Sequence, residues 1–237
     1  MSSFEPFEQQ ADQWWDEHGP FKLLHKLNPL RLKYITENIR ENIVQNLSNL
    51  KAIDVGCGGG ILIIPLARLG MDVRGIDPGQ KNIEVAREKS KLAELNITYY
   101  IDEIEKISSL KEHKGQYDVV TSMEVIEHVD DYKVFLKHLC KLLKPGGLLF
   151  ISTINRTIKS FVEAIIAAEY LLRIVPRGTH EWKKFLKPSE IVEITSEYSV
   201  SLVDITGYKL NPLTNHWSLS DDNSVNYMMC FKKSSGK

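Results

Sequence analysis

Hydrophobic and polar positions change period along the chain, and each change marks an element. Residues 7–18 and 29–46 carry a helical pattern. In the second, Leu30, Tyr34, Ile35, Ile39, Ile43, Val44 and Leu47 recur at three- and four-residue steps behind Asn28-Pro29, a helix-start signal. The period then shortens. Lys51 to Val55 reads as a short buried strand, Gly56 to Gly60 as a glycine turn, Ile61 to Leu69 as a helix closed by Gly70, and Asp72 to Ile76 as a second strand. Alternation continues with a helix from Gln80 to Glu94, a strand from Ile97 to Ile101, a short helical turn, a strand from Asp118 to Thr121 and a helix from Val134 to Leu143. Pro145-Gly146-Gly147 feeds a strand from Leu148 to Thr153. The rhythm breaks at a mostly helical insertion, residues 156–188, and resumes with a helix from Pro188 to Tyr198 and strands from Ser201 to Thr206 and Val225 to Lys232.

Strand and helix alternating at this spacing imply right-handed crossovers, hence an α/β fold built on a mostly parallel, Rossmann-like sheet of seven strands with helices on both faces. A chain of 237 residues is near the upper limit for one core. The expected organisation is one domain, residues 1–237: an N-terminal helical cap (1–48), a ligand-binding core (49–155), the helical insertion (156–188) and the C-terminal strands (189–237).

Composition narrows the class. With 43% hydrophobic and 26% charged residues the chain reads as soluble and globular, which excludes a disordered, collagenous or disulfide-stapled protein. A net charge of -1 leaves no global basic field to attract nucleic acid. Cys57, Cys140 and Cys230 form no C-x-x-C pair, so the expectation is a reducing compartment without cysteine-held zinc. Residues 1–20 hold acidic side chains and no Lys or Arg, the opposite of a signal or transit peptide, and point to a cytoplasmic protein. Phe161 to Val175 is shorter than the about 20 residues a bilayer requires and carries Glu163, Glu169 and Arg173.

The chemistry starts at Asp54-Val-Gly56-Cys-Gly58-Gly-Gly60, which follows a strand and opens a helix, the place where α/β sheets bind nucleotide-like ligands. A dinucleotide fingerprint from Gly56 would need glycine where this chain has Ile61, so the pattern is D-x-G-x-G-x-G instead. Gly56 and Gly58 allow a ligand close to the backbone, and Asp54 can order the turn. Asp77 ends the second strand, where a carboxylate accepts ribose hydroxyls; its bland alternative is capping the Pro78-Gly79 turn.

These motifs, with Y-D-V-V-T and L-L-K-P-G-G, make residues 50–153 resemble the class I S-adenosylmethionine-dependent methyltransferases, whose seven-stranded sheet ends on an antiparallel pair. W-W-D near the start, H-K-L-N-P-L-R-L-K-Y, M-E-V-I-E-H-V, T-I-N-R-T-x-K-S, A-E-Y-L-L-R-I-V-P-R-G-T-H and N-Y-M extend the resemblance, from about residue 7 to 230, to the bacterial ubiquinone-biosynthesis O-methyltransferase family. The resemblance implies S-adenosylmethionine contacts from Arg31, Gly56, Gly58, Asp77 and Met123. Arg31 would pair with the methionine carboxylate, and Met123 would offer a polarisable face to adenine. Asp102, after the third strand, either accepts the adenine amino group or caps the next turn. Arg31 and Met123 have bland readings too, as a helix-surface arginine and a core methionine.

Glu124-x-x-Glu127-His128 follows the fourth strand at the carboxyl edge of the sheet. On a helical turn, i and i+3 share a face, so these three side chains either supply ligands to a divalent cation or form a hydrogen-bonded rim. The resemblance favours Mg2+ at Glu124, Glu127 and His128. A cation or base helps because a phenol of pKa about 10 is a poor nucleophile at neutral pH; the catalytic candidates are His128 and Glu124. The resemblance also implies a polyprenylated phenol or quinol as substrate and a ubiquinone-biosynthesis protein complex as partner.

In the insertion, the apolar positions from Ile158 to Ile174 followed by Arg173, Arg177, Lys183, Lys184 and Lys187 suit either a lid helix or peripheral contact of residues 158–187 with the inner face of an anionic bacterial membrane. A polyprenyl tail favours the membrane. His180 reads as structural, and Trp14 and Trp15 as core or lid-packing aromatics. No amino-group motif of the Asn-Pro-Pro-Tyr kind supports a nucleic-acid methyltransferase. The remaining alternatives are methylation of another small molecule and a module that binds S-adenosylmethionine without turnover.

Overall fold

The computed structural model describes residues 5–161, 182–211, 214 and 216–235, with side chains from residue 7 onward. Eight strands form one sheet: β1 (Lys51–Val55), β2 (Asp72–Asp77), β3 (Thr98–Ile101), β4 (Tyr117–Met123), β5 (Leu143–Ile154), β6 (Val200–Asn211), β7 (His216–Ser220) and β8 (Asn226–Lys233), in the order β3-β2-β1-β4-β5-β8-β6-β7. The first five pair in parallel, and β8 runs antiparallel to both β5 and β6. The α/β architecture and its antiparallel end are those expected. The eighth strand corrects the count of seven: β6 continues past Thr206 to Asn211, and its outer half pairs with β7. No residue of β7 is fully buried, but His216-Trp-Ser-Leu-Ser220 alternates polar and apolar as a half-buried strand does, and Trp217 and Leu219 pack against the core, a signal that the count of seven leaves out.

Helices cover both faces. Ile35 and Ile39 of α2 (Lys22–Asn42), Ile63 and Leu66 of α3 (Ile63–Arg68) and Ile83 of α4 (Gln80–Leu92) pack with Val73, Val119, Leu148 and Met228. On the other face, α5 (Ile104–Ile107), α6 (Tyr132–Leu142) and α8 (Pro188–Ser196) pack Ile104, Leu136, Leu139 and Ile191 against Ile53, Val120, Leu149 and Phe231. Neighbours such as Val119 and Val120 face opposite layers, as the pleat requires, and β4 is buried throughout because both its faces are covered.

Two N-terminal expectations change. Asn28-Pro29 does not open a helix, since α2 starts at Lys22 and contains Pro29. Burial of Leu27, Arg31, Tyr34, Ile35, Asn38 and Ile39 on one face outweighs the lost proline donor, and the Asn28 side chain donates to Ile61 O at 2.8 Å instead of capping. Residues 7–18 are not one helix. A short α1 (Glu5–Gln9) gives way to a 3-10 turn (Ala11–Gln13) that delivers Trp14 to the sheet edge. Of the expected insertion, α7 (Ile158–Ser160) and a 3-10 turn (Trp182–Lys184) are described; residues 162–181, with His180, lie outside the described residues.

β8 also fastens a helix on each face by its last lysines. Lys232 Nζ donates to Asn42 O at the end of α2 (2.7 Å), and Lys233 Nζ donates to Cys140 O (3.0 Å) and Leu143 O (2.8 Å) at the end of α6. Cations there satisfy terminal carbonyls that the helix leaves unbonded. Lys233→Met leaves two of them unpaired and is expected to cost about 1–3 kcal/mol, read as a lower urea midpoint at unchanged slope. An unchanged midpoint would show that water replaces the ammonium without loss.

Candidate active site

The connections after β1 and β4 run to opposite sides of the sheet, so a crevice opens at the carboxyl ends of these adjacent strands. The glycine turn forms its floor. Gly56 N and Cys57 N donate to Ile76 O at 2.8 and 3.0 Å, tying the turn to β2. Gly56 has φ +78°, and a Cβ there would stand 2.5 Å from Val125 Cγ2 in the loop after β4; Gly58 has φ +52°. Both positions therefore require glycine.

Asp77, at the end of β2, is buried. Its Oδ2 accepts from Gly58 N (3.0 Å), and its Oδ1 from Gly79 N (2.9 Å) and Asn82 Nδ2 (3.0 Å). The turn-capping role is the one observed, and the three donors leave about one of the four acceptor sites of the carboxylate. Burial raises its pKa, against the pull of these hydrogen bonds. Asp54, at the other side of the turn, accepts from Thr121 Oγ1 at 2.6 Å. Burial, reinforced by Asp77 and opposed by Thr121 and Arg31, lifts Asp54 to about 6.

The N-terminal cap closes over this floor. The Trp14 ring lies so close to the turn that a Cβ on Gly58 or Gly59 would stand 2.6 or 2.3 Å from it. Its Nε1 donates to Asn82 Oδ1 at 2.8 Å, and Trp15 Nε1 donates to Gly59 O at 2.8 Å. Phe21 stacks on Trp14 with centroids 3.8 Å apart, Phe7 stacks on Phe21 at 6.5 Å, and Phe7 meets the His128 ring edge-on at 5.2 Å. The lid-packing reading of the two tryptophans is the one observed.

Across the crevice, the helix α2 places Arg31 4% exposed. Its Nε and Nη2 meet no hydrogen-bond partner among the described residues, although Glu124 Oε1 stands 3.5 Å from Nη2. Arg31 is therefore no surface arginine. Glu124 takes φ +58°, which removes it from the 3-10 turn Ile126–His128, so the expected shared face of positions i and i+3 does not form. Tyr208 Oη and Ser152 Oγ each donate to Glu124 Oε1 at 2.5 Å. Glu127 turns elsewhere and accepts from Thr153 Oγ1 at 2.8 Å. Burial, with Glu124 nearby, holds the Glu127 carboxyl well above the ordinary carboxylate range. Among the described residues no three His, Cys, Asp or Glu side chains come together as a metal site, so the expected grouping of Glu124, Glu127 and His128 around a cation is not present.

Met123 ends β4, buried in the core layer that contains Phe150 and Tyr208. Asp102 follows β3, beside Asp77 in strand order, and pairs with Lys106 Nζ at 2.5 Å while accepting from Glu103 N. Sequence reasoning missed Asn82, Ser152, Thr153 and Tyr208. Each is a lone polar residue in an ordinary element, and only the folded register brings it to the site.

A family model described as a methyltransferase domain matches residues 22–198. The structure resembles magnesium protoporphyrin IX methyltransferase from Synechocystis PCC 6803 with bound SAM, at a TM-score of 0.65 and 18% identity over 99% of this chain and 98% of that one. It also resembles the N-methyltransferase NodS from Bradyrhizobium japonicum WM9 in complex with S-adenosyl-l-homocysteine, at 0.63 and 15% over 98% and 99%. Those identities speak for the fold, and with the family match they define a class I S-adenosylmethionine-dependent methyltransferase. The ubiquinone biosynthesis O-methyltransferase of Pelagibacter ubique (strain HTCC1062) is 44% identical, over 97% of this chain and 96% of that protein. Its counterparts in Rickettsia akari (strain Hartford) and Acinetobacter baylyi (strain ATCC 33305 / BD413 / ADP1) are 45% and 46% identical, over 98% and 94% of this chain and 90% and 91% of theirs. The chain belongs to the ubiquinone biosynthesis O-methyltransferase family, whose reaction is S-adenosylmethionine-dependent O-methylation.

Because Asp54 is raised from 3.8 to about 6, its neutral form is favoured in the folded protein. The associated stability is complete below the ordinary value and is lost as pH rises through about 6, amounting to about 2–3 kcal/mol. Asp54→Asn is expected to flatten the fall in unfolding free energy between about pH 4 and 6, followed by denaturant titration. Equal slopes in the two proteins would contradict the assignment.

Proposed function

We propose that the protein transfers the methyl group of S-adenosylmethionine to the phenolic hydroxyl of a polyprenylated catechol or demethylubiquinol in ubiquinone biosynthesis. The observation that carries this reading is the buried Arg31 guanidinium, whose Nε and Nη2 have no hydrogen-bond partner among the described residues and whose charge is felt by Asp54 of the glycine turn. A buried cation of this kind is costly until a carboxylate meets it, and a methionine carboxylate has the matching charge and fork. Asp77 holds the ribose, the glycine turn at Gly56 and Gly58 lies beside the cofactor, Met123 faces adenine and Asp102 accepts from its amino group. Bound there, the cofactor supplies an electrophilic methyl on a sulfonium that departs as a neutral thioether.

The remaining work is done by the chain. His128 takes the phenolic proton as the oxygen acquires the methyl, imidazole being the side chain most often used as a general base. Glu124, turned towards Arg31, sets the charge of the crevice and acts on positioning. Water exclusion falls to Phe7, Trp14 and Phe21. Glu124, Glu127 and His128 do not fit Mg2+ as arranged, because Tyr208 and Ser152 already bond Glu124 and Thr153 bonds Glu127. No step is assigned to a cation.

Three checks follow from this assignment. Arg31→Met is expected to raise KM for S-adenosylmethionine about tenfold or more, while His128→Asn lowers kcat by about 10²–10⁴ and leaves cofactor affinity alone. Mass spectrometry of a prenylated catechol incubated with enzyme and labelled cofactor should show one methyl ether; methylation at carbon or nitrogen, or none, would reject the reading. Exhaustive chelation is expected to leave turnover unchanged, whereas a loss reversed by Mg2+ would show that Glu124 leaves Tyr208 to bind a cation.

Peripheral contact with the inner face of an anionic membrane, and with partners in a biosynthetic complex, belongs to the same proposal. No helix of the described residues is long and apolar enough to cross a membrane. Supporting surface contact, Ile158 is 82%, Phe161 42% and Trp182 37% exposed, near Lys159, Lys183 and Lys184 in sequence. Phe161 and Trp182 meet edge-on at 6.3 Å, so both ends of the insertion share one patch. Such a mixture of apolar and cationic side chains suits an anionic bilayer surface. Charge reversal at Arg173, Lys183 and Lys184 is expected to abolish binding to anionic liposomes; equal binding would remove the membrane role.

A further inference from the structure

We propose that Trp14 is a positioning residue for the cofactor: its indole N–H sets the amide of Asn82, which aims the Asp77 carboxylate at the ribose. The inference rests on the methyltransferase reading and adds a dependence of ribose recognition on docking of the N-terminal segment.

An indole nitrogen can only donate, so the Asn82 atom 2.8 Å from Trp14 Nε1 must be the amide oxygen. The other end of the amide is then necessarily the NH2 group, and it faces Asp77 Oδ1 at 3.0 Å. The Asp77 carboxylate by itself favours the NH2 orientation, since a flip would set an oxygen against it, and the indole donor holds the opposite end, so that the amide is fixed in place as well as in orientation between two partners. Asn82 is 3% exposed and Trp14 7%, so water does not readily take the place of either partner. The rest of the carboxylate is fixed by backbone, through Gly58 N and Gly79 N, which leaves Asn82 as the one side-chain donor on it among the described residues.

The ring of Trp14 is anchored independently of this bond. Phe21 stacks on it at 3.8 Å with an interplanar angle of 6°, Gly58 and Gly59 lie against its edge, and His25 Nε2 bonds Trp14 O at 2.7 Å. Removing the N–H while keeping the ring therefore leaves the cap docked. The effect then falls on Asp77 alone, which distinguishes positioning from packing.

The test replaces Trp14 by β-(3-benzothienyl)alanine, an isostere that lacks the donor, with Trp14→Phe as a second variant and thermal unfolding of the unliganded protein as the folding control. Binding of S-adenosylhomocysteine and of its 2′-deoxyribose counterpart is measured by titration calorimetry. The wild type is expected to prefer the ribose form by about tenfold, as one good hydrogen bond implies. In the isostere the affinity for S-adenosylhomocysteine falls about three- to tenfold and the preference over the deoxy form shrinks towards one. KM for S-adenosylmethionine rises in step while kcat stays within about twofold. Unchanged affinity, or equal weakening for both probes with the preference intact, would overturn the positioning role. Failure of the wild type to bind S-adenosylhomocysteine at all would overturn the methyltransferase reading on which it rests.

Discussion

A guanidinium buried where four elements meet is the constraint that organises this molecule. Arg31 arrives on α2, Glu124 on the loop after β4, Ser152 on β5 and Tyr208 on β6, and the last three are joined to one another through Glu124 Oε1. Taking a cation out of water costs several kcal/mol unless charge and hydrogen bonds compensate it. Glu124 supplies the charge at 3.5 Å without hydrogen-bonding the two unpartnered donors. The left-handed backbone of Glu124 costs roughly 1–2 kcal/mol, and its hydrogen bonds to Ser152 and Tyr208 offset that strain. The compensation is partial, and the proposed methionine carboxylate of the cofactor would complete it.

The same crevice has a second pole at Asp77, and the cap spans the two. From Trp14, bonded to Asn82, the aromatic run passes through Phe21 and Phe7 to His128, so one N-terminal segment touches both the proposed ribose side and the proposed base. A methyl transfer gains from this arrangement, since the sulfonium needs exclusion of water and in-line orientation more than covalent help. Backbone hydrogen bonds hold the glycine turn and Asp77 to the sheet, whereas the side around His128 is formed by side chains on loops and by the cap.

Most of the core was legible in sequence because its signals are local. The glycine turn, Asp77 and the strand-helix alternation each rest on a few consecutive residues, and β1, β2 and β4 appear almost where the pattern places them. What escaped depends on tertiary register. Pro29 sits inside α2 because distant packing overrides a local start signal, whereas β7 does carry a short alternation of polar and apolar residues, His216 to Ser220, and pairs with the far half of β6. Glu124 and Glu127 look like neighbours on one helical face until the backbone at Glu124 turns left-handed and sends them to Tyr208 and Thr153 respectively. No spacing rule reveals that, because the cause is a tyrosine far along the chain.

The most direct test of the central claim is a crystal structure of the protein with S-adenosylhomocysteine bound. The account expects the amino-acid carboxylate to accept from Arg31 Nε or Nη2 at ordinary hydrogen-bond distance, about 2.7–3.2 Å, with a ribose hydroxyl on the acceptor site that the three donors leave on Asp77. A ligand whose carboxylate lies elsewhere, with Arg31 still facing Glu124 alone, would contradict it.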